Sequence, residues 1–338
     1  MSVAVLASQR VSLAHAGVAD AEWDIALQRM GGHFLQSTLW QRVQAALGHD
    51  VIWARDEQWM WAGAIRSGHF PRYVYLPHGP TAASTDAMTG ALADAMGAAR
   101  ERSLDFVRAE PAGEAVLPAL VASSAHPSRS IQPRWTWILD LTPDEAALRK
   151  GLSSGHRGAI NAAPRRGLTF RVSADPDDIE IFLRLQERTS AAGRFRGQEQ
   201  SYHRAVARTL MPERAAALYI ADAAGVPVAA AVCFDFSATR YYAHAVSDPE
   251  AGRRLQAAAP LVWRMILDAR AAGARRFDFW GISPAGHATA GAAAHPWDGF
   301  SQFKRSFGGE AVERAGTWDL GVRSLRHSLY RAAVRLRR

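Results

Sequence analysis

The sequence predicts a two-lobed α/β protein. Three observations carry that expectation. The chain has 338 residues, more than the roughly 250–300 at which a single core stops growing. Its first half alternates short β-type runs with amphipathic helical stretches. Its second half repeats that order of elements, although no sequence repeat is strong enough to prove duplication. The expected lobes cover residues 1–140 and 141–321, followed by a basic amphipathic helix over 322–338.

Residues 18–30 place Trp23, Leu27 and Met30 on one helical face, and Gly31 and Gly32 stop the helix. Residues 39–47 repeat the pattern with Trp40, Val43 and Leu47. Strands are expected over 51–55 and 59–67, across the charged turn 56–58, and over 73–76, which Pro77, Gly79 and Pro80 close. An Ala-rich helix follows over 85–102, then a short buried strand over 104–109. In the second half, 135–141 alternates as a strand. Pro143 opens a helix whose first turn carries Asp144 and Glu145, and a basic, glycine-broken stretch runs over 150–166. The remaining elements are a strand over 168–172, helices over 176–191 and 200–210, a hairpin of 218–222 and 226–236 around Gly225, a strand over 239–246, a helix over 255–272 and a strand over 276–281. A Gly- and Ala-rich loop spans 283–299.

Bulk properties narrow the class. Cys233 is the only cysteine, so one chain can form no internal disulfide, and a reducing cytoplasm is the expected compartment. No run of 18 apolar residues is present, and residues 1–16 lack the basic start and apolar run of a secretory signal. Residues 1–140 carry a net charge of −2 and residues 141–338 one of +10. The second half therefore attracts polyanions such as RNA, nucleotide phosphates or anionic lipid. The twelve histidines show no metal-binding spacing, and neither a G-x-S-x-G elbow nor a Walker loop occurs.

Six stretches, in order, span nearly the whole chain: Phe34-Leu35-Gln36-Ser37-Thr38-Leu39-Trp40; Tyr75-Leu76-Pro77-His78-Gly79-Pro80; the basic run from His156-Arg157 to Arg166-Gly167; Ala245-Val246-Ser247-Asp248-Pro249; Arg276-Phe277-Asp278-Phe279-Trp280-Gly281-Ile282; and Phe300 to Gly309, with its Phe303-Lys304-Arg305-Ser306-Phe307-Gly308-Gly309 core. Together they resemble the Fem family, transferases that add amino acids from aminoacyl-tRNA to peptidoglycan precursors. The resemblance implies two tandem acetyltransferase-like (GNAT) lobes, each a mixed twisted sheet flanked by helices, with the acceptor bound in a cleft between or beside them. It also implies aminoacyl-tRNA as co-substrate with no resident cofactor, and an amine acceptor, foremost a peptidoglycan stem peptide. A monomer is expected, because paired lobes bury each other's faces.

Amide formation from an aminoacyl ester needs a neutral, aligned amine, a positive charge or donor for the tetrahedral oxyanion, and a proton for the leaving ribose hydroxyl. The ester is already activated, so neither a metal nor a covalent intermediate is required. Lys304 is the leading catalytic candidate. The chain has only two lysines, Lys150 and Lys304, against 38 arginines, and a compact ammonium whose pKa shifts on burial is not interchangeable with a guanidinium. In the Fem motif this lysine sits at the catalytic centre. Glu110 ends a buried strand where the family places an acid near substrate. Tyr242 and His244 are expected on one face of their strand, where the family places aromatic residues, and a histidine there suits proton transfer near neutral pH. Arg194 and Arg196 offer forks for acceptor phosphates, with Arg196 favoured by the resemblance. Gln36, Trp40 and Arg42 are the first-lobe acceptor candidates. The family's lysine four residues after the tryptophan is replaced here by Gln44. Arg157, in the basic run, and Trp280, in the fifth motif, complete the substrate-binding set.

Rival readings remain. The chief one is an acyl-CoA N-acyltransferase acting on a small-molecule or cell-envelope amine. Its pyrophosphate turn would fall at Arg254-Leu255-Gln256-Ala257-Ala258-Ala259, which lacks the first glycine that permits close backbone approach. Another is a non-catalytic membrane- or RNA-binding protein. Residues 322–338 hold six arginines and no acid; they sit on an anionic membrane, track tRNA, or cover the second lobe.

Overall fold

The computed structural model describes residues 12–68, 70–111, 116–191, 197–284 and 297–336. The chain forms two compact units, Met1–Arg134 with Arg314–Arg338, and Trp135–Glu313.

In the first unit the strands lie in the order His15–Ala16, Val51–Arg55, Trp59–Arg66, Tyr73–Leu76, Phe106–Ala109, Trp318–Gly321, His126–Pro127, with Thr81–Ala82 beside Trp59–Arg66. Among the described residues of this unit, only Tyr73–Leu76 and Phe106–Ala109 pair in parallel. A parallel pair needs a crossover, usually helical, and the helix Thr85–Glu101 supplies it. Ser84 caps that helix by accepting from the amide of Ala87. Its Ala- and Leu-rich face, including Ala91, Leu92, Ala95 and Ala98, packs on Ile52, Trp61, Val74 and Val107.

In the second unit the order is Glu310–Glu313, Trp135–Asp140, Arg276–Gly281, Thr239–Ser247, Val226–Phe236, Ala216–Ala223, Leu168–Ser173. Among the described residues there is again one parallel pair, Thr239–Ser247 with Arg276–Gly281, bridged by a helix, Ala258–Ala271. One face of this sheet forms a core with Ala159, Leu261, Met265, Phe277, Phe279 and Phe307. Helix Ile179–Ala191 packs on strands Val226–Phe236 and Thr239–Ser247. Both units are thus mixed sheets with a helix-bridged parallel pair, as the order of elements in the sequence suggested.

The unit boundaries differ from the sequence reading of 1–140, 141–321 and 322–338. Strand Trp135–Asp140 belongs to the second sheet, and Trp318–Gly321 returns to the first, antiparallel to Phe106–Ala109. Such pairing joins residues two hundred positions apart and leaves no local mark. The C-terminal helix, Ser324–Leu336, also belongs to the first unit. His327 is buried against Phe106, and Tyr330 stacks on the same ring. The helix expected over 255–272 is two helices, Ala251–Leu255 and Ala258–Ala271, broken where Gln256 turns left-handed at φ 53°. The first helix shortens to Trp23–Arg29. A helix, Asp298–Arg305, lies partly inside the segment read as loop.

Candidate active site

Lys304 lies in the last turn of helix Asp298–Arg305. The residues after it lock that helix against the sheet. Phe307 is buried beside Phe279, Phe303 and His156, and Trp137 Nε1 donates to Gly308 O at 2.6 Å. Gly309 has φ 100°, and a Cβ there would fall 2.4 Å from Ile138 O. The glycine is therefore a packing requirement as well as a turn residue. Held in this way, Lys304 is only 6% exposed. Its Nζ donates to Gly281 O at 2.6 Å and sits 4.7 Å from the Phe300 ring centroid. Burial pushes the ammonium from 10.5 down to about 7, and the nearby Asp278 charge opposes this only in part. Asp278 is itself buried and accepts from the Thr136 hydroxyl and from Trp280 N.

The parallel pairing of Thr239–Ser247 with Arg276–Gly281 ends a few residues before Gly281, the partner of this lysine. Their ladder runs from Thr239↔Arg276 to Tyr241↔Asp278 and forms no pair beyond, although both strands continue. Each is deformed at that point. Opposite Val232 and Cys233, strand Thr239–Ser247 pairs through His244 and Tyr242, leaving Ala243 as a bulge. On the other strand the register with Trp135–Asp140 shifts between Asp278 and Gly281, and Trp280 has φ 62°. Past that point the two strands form no parallel pair. Gly281, which accepts from Lys304, ends one of them, and half-buried Trp280 is packed edge-on to Tyr241 at 5.8 Å.

The bulge overturns the expectation that Tyr242 and His244 share a face. One extra residue inverts the side-chain alternation. Tyr242 joins the core near Phe277 and Phe279, where burial pushes its phenol up. His244 points to the opposite face, 4.9 Å from the His203 ring, and its Nε2 lies 3.1 Å from Tyr202 Oη. Burial, reinforced by His203, pushes His244 down to about 3, and burial pushes His203 down to about 4. Both shifts favour the neutral imidazole, in contrast to the titration near neutral pH expected of His244.

The first-unit candidates have structural partners. Gln36 is fully buried. Its amide nitrogen donates to Ala62 O and Pro77 O, and its oxygen accepts from Ala62 N, which engages the whole side chain within the unit instead of offering it to a ligand. Glu110 is likewise buried, accepting from Tyr75 Oη, Thr317 Oγ1, Gln132 N and Ile131 N. It ties three strand ends together, contrary to the expected substrate contact. Trp40 is buried against Phe34, and Arg42 is exposed on the same helix, Thr38–Ala46. Two histidines inside or beside the quoted motifs, His33 and His78, lie with ring centroids 4.0 Å apart at a 33° tilt; burial holds both well below their ordinary value. In the second unit Arg157 donates to Lys150 O and Leu152 O, capping helix Glu145–Gly151. Arg194 and Arg196 lie outside the described residues. The sequence reading overlooked Asp278 and Thr136; an acid between the core aromatics Phe277 and Phe279 was the available signal.

A family model described as an acetyltransferase (GNAT) domain matches residues 152–299. Among solved structures, FemX is 16% identical, with 93% of this chain and 99% of that chain covered and a TM-score of 0.79. The chain has the Fem-type tandem acetyltransferase fold. Two further structures share that architecture: L-PGS from Bacillus licheniformis (14% identical, 95% and 98% covered, TM-score 0.61) and a tandem GNAT protein from the clavulanic acid biosynthesis pathway (15%, 91% and 98%, 0.55). No curated protein matches the sequence. Within this fold, Lys304 and the strand pair whose ladder ends near it both belong to the second unit. Among the described residues no cluster of His, Cys, Asp or Glu is arranged to hold a metal, and no helix is long and apolar enough to cross a membrane.

Proposed function

We propose that this chain is an aminoacyltransferase that moves an amino acid from aminoacyl-tRNA to an acceptor amine, foremost the stem peptide of a peptidoglycan precursor. The observation that carries the reading is the Lys304 ammonium, buried and anchored to Gly281 O at the end of a strand whose parallel pairing stops after Asp278. The neutral amine attacks the ester carbonyl, and Lys304 stabilises the charge that develops on its oxygen. The C–N bond forms, the C–O bond to ribose breaks, and the proton lost by the amine ends on the ribose oxygen. A lysine pushed down to about 7 exchanges protons readily at neutral pH. The reaction asks for no metal or resident cofactor, because the ester is already activated.

The same fold supports one rival, acyl transfer from coenzyme A, which the acetyltransferase family match favours. Against it stands the turn before helix Ala258–Ala271. Gln256 occupies the left-handed position there, and its side chain accepts from Arg166 at 2.7 Å, where a phosphate-cradling turn wants bare backbone. The deciding experiment offers labelled aminoacyl-tRNAs or acyl-CoA thioesters with candidate amines. An amide product that survives alkaline ester hydrolysis, formed only from charged tRNA, is expected. Product from the thioester alone refutes the donor assignment.

A further inference from the structure

We infer that the C-terminal helix Ser324–Leu336 docks the first unit on an anionic lipid surface. This helix has two apolar sides. One is spent on the unit itself: His327 and Tyr330 pack on Phe106, Arg108 donates to Tyr330 Oη at 3.2 Å, and Arg326 pairs with Asp105 at 2.5 Å. The other faces out. Leu325, Leu329 and Leu336 are 74%, 58% and 89% exposed. At 3.6 residues per turn they fall within about 40° of one another, with exposed Ala332 in the same stripe. A helix already docked by one side ordinarily gives its free side to polar residues; this one shows solvent leucines.

Charge complementarity identifies the occupant. Arg323 and Arg335 are exposed, Arg331 is half-buried, and the segment 322–338 contains six arginines and no acid. Phe70, 43% exposed, lies edge-on to Tyr330 and under the Arg326 guanidinium, a further exposed ring beside the helix. Guanidinium groups around a leucine stripe match a bilayer interface, where headgroup phosphates meet the cations and acyl chains take the leucines. An RNA would use the arginines and leave the leucines in water. The inference does not depend on the acyl donor, so its failure leaves the proposed reaction untouched. Docked in this way, the protein meets amines carried on lipids.

The test is co-sedimentation of the full chain with vesicles of phosphatidylcholine alone or mixed with phosphatidylglycerol, and, separately, binding to uncharged tRNA. The wild type is expected to bind the anionic vesicles at least about tenfold better than the neutral ones. The double variant Leu325→Ser, Leu329→Ser changes only exposed positions. With an unchanged circular dichroism spectrum, it should lose about tenfold or more in vesicle binding while tRNA binding is unaltered. Equal binding to both vesicle types overturns the inference. So does a leucine variant that sediments like wild type, or binding to tRNA without binding to anionic vesicles.

Discussion

Replacing Lys304 by methionine should abolish transfer and stabilise the protein at the same time. The lysine's pKa is about 7 in the folded chain and 10.5 when unperturbed. Between those values the unfolded chain holds a proton that the folded chain lacks, so the lysine costs stability, and the cost shrinks as pH rises. At about 1.4 kcal/mol per pH unit the drop corresponds to roughly 4–5 kcal/mol at pH 7. Methionine fills similar space without the charge. It forfeits the bond to Gly281 O and the contact with Phe300, each worth about 1 kcal/mol. The net expectation for Lys304→Met is a gain of about 2–3 kcal/mol at pH 7, or several degrees in Tm for a unit of this size. That gain should vanish at about pH 9, where the remaining cost of about 2 kcal/mol equals the two lost contacts, and should become a loss as pH approaches 10.5. Urea unfolding of both proteins at pH 7, 8.5 and 10 measures it, and single-turnover transfer measures the other side, where a loss of about a hundredfold or more is expected. Lys304→Arg should not rescue activity, since a guanidinium neither fits the ammonium's position nor gives up its proton. A methionine variant that is less stable than wild type at pH 7, or one that retains near-full turnover, refutes the reasoning.

Two further outcomes follow from the same geometry. Gln36→Ala should destabilise the first unit by about 3 kcal/mol, because three buried bonds to Ala62 and Pro77 are lost at once; chemical denaturation checks this, and a raised acceptor KM in a fully folded variant would instead restore Gln36 as a ligand. His203 is pushed down to about 4 from 6.5, so the unfolded chain takes up its proton first as pH falls. Stability should then drop by up to about 1.4 kcal/mol per unit below pH 6.5, about 3 kcal/mol by pH 4. His203→Leu should flatten the pH dependence of the unfolding midpoint in that range, and an unchanged slope would show that this histidine is not responsible.

Much of the architecture was legible because it is written locally. Tyr73–Leu76, Gln200–Leu210 and Arg276–Gly281 have the bounds that their periodicity and flanking Gly and Pro residues indicate. The helix-bridged strand pairs are visible as alternation, and Lys304 stands out because an arginine-rich chain keeps so few lysines. Tertiary structure decided the rest. The bulge at Ala243, which sends Tyr242 and His244 to opposite faces, exists only as a mismatch with the neighbouring strand. Trp318–Gly321 belongs to the first unit because its partner is Phe106–Ala109. Gln36 and Glu110 carry residue types suited to a site, but burial among backbone donors and acceptors turned them into struts. The lysine's identity came from the chain itself, whereas its depressed pKa came from the packing of Phe300, Gly281 and the rest of the fold around it. Desolvation is set by neighbours distant in sequence, and no local pattern records it.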